Sequence, residues 1–174
     1  SELENAGRAI RHASASACTM LAGLTDGDLL RGTRASAVQE IFEVADIIDA
    51  ALDLLKPLAD EKDIRITLHR EDGLEATGDA QMIEAVLRNL IGNAVKFTSP
   101  GGTVTVETCR TGHEVTVQVI NDGVGMTPDQ TEAGMSGKQV MSLRGTDGER
   151  GSGTGLALCH KLLKENNGRL KLVS

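Results

Sequence analysis

The stretch NLIGNAVKFT, residues 89–98, sets two asparagines four apart, a lysine three further on and a phenylalanine beside it, inside an otherwise apolar helical run. On a helical wheel of about 100° per residue with Asn89 at the origin, Asn93, Lys96 and Phe97 fall within about 80° of it and form one stripe. Ile83, Leu87, Leu90 and Ala94 group at about 100–160°, so the helix buries that side and carries an amide-and-amine row along its edge. Amide oxygens suit hard cations such as Mg²⁺, and a lysine ammonium suits phosphate oxygens. Two amides, a cation and a flat ring point to a magnesium-bound nucleotide. An isolated Asn-x-x-x-Asn, however, more often faces solvent, with the aromatic as ordinary core, so the row needs support from elsewhere in the chain.

Working outward, Asp79 is a candidate N-cap for a helix from Ala80 to about Thr98, which SPGG stops. Upstream, residues 64–69 (IRITLH) alternate as a half-buried strand, and residues 44–62 form an amphipathic helix that Pro57 should kink or interrupt. Helical spacing over 3–22 predicts a further helix, and residues 23–33 read as a linker. Downstream, TVTVETCR and EVTVQVI flank TGH as a β-hairpin. From Gly123 to Gly155 periodicity disappears, and seven of the 22 residues from Gly134 to Gly155 are glycine, which predicts a mobile loop. A last helix, Gly155 to Asn166, should end in a left-handed cap at Asn167 and Gly168 before a strand, RLKLVS. The expected fold is α+β: a two-layer α/β sandwich, its mixed and mostly antiparallel sheet carrying helices on one face, preceded by a helical segment.

The charge balance, 18 Lys and Arg against 25 Asp and Glu, argues against nucleic acid as a partner, which would need a basic surplus on one face. Cys18, Cys109 and Cys159 are odd in number and far apart, so neither a disulfide framework nor a zinc site is suggested, and a reducing compartment fits. No run approaches the roughly 18 apolar residues of a membrane-spanning helix, and the start lacks the regions of a signal peptide. The expected location is cytoplasmic, any membrane anchor of a full-length protein lying outside this sequence.

Two further clusters supply the support. INDGVGM, 120–126, follows a strand directly; Gly123 and Gly125 permit close backbone approach to a ligand, and Asn121 can present its side chain, though a hairpin turn reads almost the same. GERGSGTGLAL, 148–158, ends in glycines that open a helix, whose free N–H groups can hold phosphate. A dinucleotide-binding GxGxxG is the rival reading, disfavoured because those glycines should follow a strand at once. In this order and spacing the three clusters resemble the ATP-binding catalytic domain of bacterial sensor histidine kinases, in the Bergerat-fold superfamily that includes gyrase, heat-shock chaperone and mismatch-repair ATPases. NLIGNAVKFT resembles its N box, NDGVGM its first glycine box and GERGSGTGLAL its second.

That resemblance, covering roughly residues 40–174, implies the tail of a dimerisation helix and a linker over 1–38 and a catalytic domain over 39–174, with one more strand beyond. It implies Asn93 as the Mg²⁺ ligand with Asn89 assisting, Lys96 on the phosphates and Phe97 against the nucleotide. Gly123, Gly125 and Met126 would floor the base pocket beside Asn121. Gly151, Gly153, Thr154 and Gly155, with the Leu156 amide, would line the triphosphate, and residues 127–150 would be the lid. Asn89, Asn93 and Lys96 would serve transfer of the ATP γ-phosphate to a histidine. None of His12, His69, His113 and His160 sits in the family's acceptor pattern, so the resemblance implies an acceptor histidine on a dimerisation domain, either upstream or held by a partner. The implied partners are that domain, a response regulator receiver domain and a second copy in a homodimer.

One departure stands out. The family's first glycine box begins with aspartate, which accepts a bond from the adenine amino group; here Asn121 holds the place and Asp122 comes one late. An amide oxygen still accepts that bond, but charge-assisted bonds are roughly twice as strong. The alternative function is therefore a nucleotide-poor regulatory pseudokinase that holds partners on the same scaffold. A hydrolytic ATPase is disfavoured, since those relatives place a glutamate base at the position of Asn89, and an amide cannot take a proton from water.

Overall fold

Residues 38–138, 144–149 and 151–174 are described by the computed structural model; the helix expected over 3–22 and the linker over 23–33 lie outside them. In chain order they form β1 (Glu40–Glu43), α1 (Val44–Glu61), β2 (Arg65–His69), β3 (Glu75–Gly78) and α2 (Ala80–Phe97). There follow β4 (Thr103–Thr111), β5 (Glu114–Asn121), α3 (Pro128–Met135) and α4 (Gly155–Glu165). The architecture is α+β.

The helix with the polar row begins as its sequence predicts. Asp79, 1% exposed, accepts the Met82 N–H through its carboxylate at 3.1 Å, and its second oxygen takes the Val38 N–H at 3.0 Å. The buried Met82 donor, which the helix start would otherwise leave without a partner, is thereby satisfied, and the same carboxylate ties in the exposed Val38. The helix stops at a turn in which Gly102 N–H donates to Ser99 O at 2.9 Å while Gly101 takes φ 80°, the residue order of a type II turn with proline second and glycine third.

β4 and β5 close through Gly112 and His113, a two-residue loop with glycine first at φ 62°. β2 joins the other edge of β4 in parallel, with Ile66 opposite Val104 and Leu68 opposite Val106. Register then decides burial. Val104 and Val106 share a face with Val119 and Val117, and that face meets α1 and α2 through Ile48, Ala51, Leu55, Leu87 and Ile91. The reverse face presents Thr105, Glu107 and Gln118. Each fully buried aliphatic chain here contributes about 1.5–3 kcal/mol, which is why register cannot slip by one.

Several expectations are corrected. Pro57 does not interrupt α1: Pro57 and Asp53, whose carbonyl loses its intrahelical partner, both face solvent, so water takes that bond. The helix instead ends at Asp63, at φ 54°, with Ile64 N–H on Ala59 O and Asp63 N–H on Asp60 O, a Schellman closure without glycine. β1 and β3 were not expected; they pair antiparallel as a ribbon separate from the three-stranded sheet, and four residues are too few for alternation to register. The region expected as one loop after Gly123 contains α3, opened by a reciprocal capping box between Thr127 and Gln130. RLKLVS forms no strand. Leu170 and Leu172 are more buried than their neighbours, so the alternation reports packing on one side and not ladder pairing. α4 does end left-handed, at Asn167 (φ 56°) alone, with Gly168 N–H on Leu163 O at 2.7 Å.

Candidate functional site

The polar row of α2 lies where α4 meets it. Asn93 donates from Nδ2 to Asn89 Oδ1 at 3.1 Å, so each amide orients the other and the bond uses the Asn93 nitrogen and not its oxygen. Against them stands Gly155, the first residue of α4: a Cβ on it would lie 2.5 Å from Asn89 Nδ2 and 2.6 Å from Oδ1. A side chain at Gly155 would push the Asn89 amide from its place beside Asn93. α4 runs back along α2, with Cys159 at the Val86 carbonyl and the Asn166 amide oxygen accepting the Asp79 N–H at 2.6 Å.

The N-terminus of α4 has no side-chain cap. Thr154, its N-cap residue, pairs its hydroxyl with Ser152 Oγ at 2.7 Å, and Gly153 turns at φ 73°. The first-turn N–H groups, Leu156 among them, are therefore left for an anion, with the helix dipole adding to the attraction. With amide oxygens for a hard cation close by, the donor set fits a magnesium-bound phosphate chain.

The first glycine box closes on the opposite end of the row. Val124 N–H donates to Phe97 O at 2.9 Å, and a Cβ on Gly123 would overlap that carbonyl and lie 2.7 Å from Thr98 Cα. Asp122 is taken up by the fold: both carboxylate oxygens accept the Thr103 N–H, at 2.9 and 3.1 Å. Asn121 is opposite Val104 at the end of β5, on the sheet face toward the helices, half-buried. Of the two neighbours, then, Asn121 is the one whose side chain is not committed to a backbone donor of the hairpin. Gly125 and Met126 lie against Ser174, whose Oγ accepts the Met126 N–H at 2.6 Å.

Lys96 packs its Nζ 4.9 Å from the centre of the Phe97 ring. Burial lowers its pKa; the Glu149 carboxylate opposes that, and the neighbouring Lys62 adds to it. Lys62 itself is a residue the sequence concealed. It caps α1 and is 7% exposed, and its ammonium reaches Val95 O, Lys96 O, Thr146 Oγ1 and Glu149 Oε1 at 2.8–3.0 Å. Burial alone would raise the Glu149 carboxyl, but backbone N–H donors and Lys62 outweigh it and hold Glu149 below the usual glutamate range. A lysine after an amphipathic helix ordinarily reads as solvated, and nothing in its local spacing marks this one as buried.

The description of the matching family model is histidine kinase-, DNA gyrase B- and HSP90-like ATPase, over residues 78–174. An uncharacterised sensor-like histidine kinase of Rhizobium meliloti is 34% identical over 137 residues, covering 78% of this chain and 26% of its own. Sporulation kinase C of Bacillus subtilis is 31% identical over 121 residues, covering 70% and 26%. The chain thus spans about a quarter of the length of these curated relatives. Among solved structures, histidine kinase ThkA in complex with the response regulator TrrA superposes with a TM-score of 0.68 at 19% identity, covering 86% of this chain and 42% of ThkA. Full-length ShkA in complex with AMPPNP gives 0.66 at 23%, covering 95% and 34%. At such identities the likeness is one of fold.

Proposed function

From its membership of the histidine kinase-, gyrase B- and HSP90-like ATPase family, we propose that this chain is the ATP-binding catalytic domain of a two-component sensor histidine kinase. It transfers the γ-phosphate of ATP to a histidine on a separate dimerisation domain, for relay to a response regulator receiver domain, within a homodimer on the cytoplasmic side. Among the described residues no helix is long and apolar enough to cross a membrane.

The observation that carries this reading is the shared helix. Gly155 rests on Asn89 and Gly123 on Phe97, so both glycine clusters are brought to the one polar row of α2. In the proposed site Asn93, with Asn89 behind it, offers its amide oxygen to Mg²⁺. Lys96 meets the phosphates as a point charge. Leu156 and its neighbours in the first turn of α4 donate N–H groups to the triphosphate, with Gly151, Gly153 and Thr154 shaping the approach. Phe97, Asn121, Gly123, Gly125 and Met126 surround the base. Mg²⁺, when bound, would supply positive charge to offset the negative charge that develops in transfer. The residues of this chain position and neutralise; none of them acts as nucleophile. Asn89 orients water but cannot deprotonate it, which favours transfer over hydrolysis.

Isothermal titration with Mg-ATP tests the reading. The wild-type chain should bind, and Asn93→Ala should weaken binding by about tenfold or more, the worth of one lost charged contact. A wild-type chain that gives no heat with Mg-ATP would move the assignment to the pseudokinase, the reading that the uncharged Asn121 favours.

A further inference from the structure

The clasp around Lys62 has no part in nucleotide contact as proposed above, yet it joins three separated pieces of chain. Lys62 ends α1; Val95 and Lys96 end α2; Thr146 and Glu149 lie in the turn 145–149. That turn is closed on itself. Gly145 N–H donates to Glu149 O at 2.8 Å, Gly148 N–H to Gly145 O at 3.1 Å and Asp147 N–H to Glu149 Oε2 at 2.9 Å. It is also fastened to α2, by Thr146 N–H on Lys96 O at 3.1 Å and Thr146 Oγ1 on Thr98 O at 2.6 Å. A buried ammonium is tolerated only where its bonds are met, and Lys62 meets two of its bonds on this turn, at Thr146 Oγ1 and Glu149 Oε1, adding to those that Thr146 makes to α2.

Two consequences meet at the phosphate side of the site. Glu149 precedes by two residues the glycine run that starts at Gly151 and ends with Gly155 on Asn89, so fixing Glu149 fixes where that run begins. A Cβ on Gly145 would also lie 2.7 Å from Lys96 Cγ, so the same turn walls the side chain of Lys96. We propose that Lys62 is a positioning residue for phosphate binding: through Glu149 and Thr146 it holds the 145–149 turn to the end of α2, and so sets the glycine run and Lys96 in register. The inference rests on the nucleotide reading above, and two readouts keep the two apart.

Hydrogen exchange on the nucleotide-free chain comes first, comparing wild type, Lys62→Met, Thr146→Val and Glu149→Gln. Lys62→Met should speed exchange at Gly145, Thr146 and Asp147 while the β4–β5 hairpin keeps its protection. Titrations with Mg-ATP and with adenosine follow: Lys62→Met should raise the Kd for Mg-ATP by about tenfold, the range of a charged hydrogen bond, and leave adenosine unchanged. Glu149→Gln added to Lys62→Met should cost little more than Lys62→Met alone, since both break one contact. Unchanged exchange at the turn, or equal losses for Mg-ATP and adenosine, would overturn the proposal. Should Lys62→Met not fold, Thr146→Val carries the same pair of readouts with Lys62 in place. A wild-type chain that binds no nucleotide overturns the site assignment and the phosphate role with it, while the exchange data still decide whether Lys62 holds the turn.

Discussion

An asparagine and an aspartate have nearly the same shape, and at position 121 the difference is one charge at a strand end whose next residue, Asp122, is held by the Thr103 N–H. Asp122 therefore cannot stand in for a displaced carboxylate without releasing the hairpin. Substituting Asn121→Asp should raise ATP affinity about tenfold, because a charged acceptor strengthens the bond to an amino group by about 1.4 kcal/mol. GTP, which presents a carbonyl oxygen where ATP presents an amino group, should gain nothing; competition titrations of the two nucleotides measure the ratio. Gly155 and Gly123 are of another kind. Their lack of a side chain was legible in the sequence, but which atoms they make room for, the Asn89 amide and the Phe97 carbonyl, was not.

Among the elements, α2 is the one whose ends and faces were most legible. Its cap residue announces itself, and Asp79→Ala should cost about 1–2 kcal/mol in urea unfolding, since the buried Met82 N–H loses its acceptor while the exposed Val38 N–H can turn to water. The hairpin was equally plain, because alternation and a glycine-first loop coincide there. The elements that escaped share a cause. β1 and β3 have four residues each, and α3 has eight with little apolar content, so its start depends on Thr127 and Gln130 bonding to each other and not on periodicity. RLKLVS erred in the opposite direction, since its period of two is real in burial and absent in hydrogen bonding. The convergence of the three polar clusters was inferable from their order; the clasp at Lys62 was not, because its partners lie 33 to 87 residues away.

For the molecule as a whole, that clasp ties stability to pH. Glu149 has a carboxyl held below its ordinary range, so its contribution is complete above about pH 4.3 and is lost as pH falls through the lowered folded value. Urea midpoints at pH 7 and at pH 3.5 should therefore fall further for wild type than for Glu149→Gln, which has no proton to take up. The parallel pairing of β2 with β4 bears on time and not on energy. β4 and β5 meet through two residues and can zip early, whereas pairing β2 with β4 must close a loop that holds the ribbon strand and the whole of α2. The helix that carries Asn89, Asn93 and Lys96 is thus part of the connection that completes the sheet, so the row on which ligand recognition would depend is built into the closure of the fold.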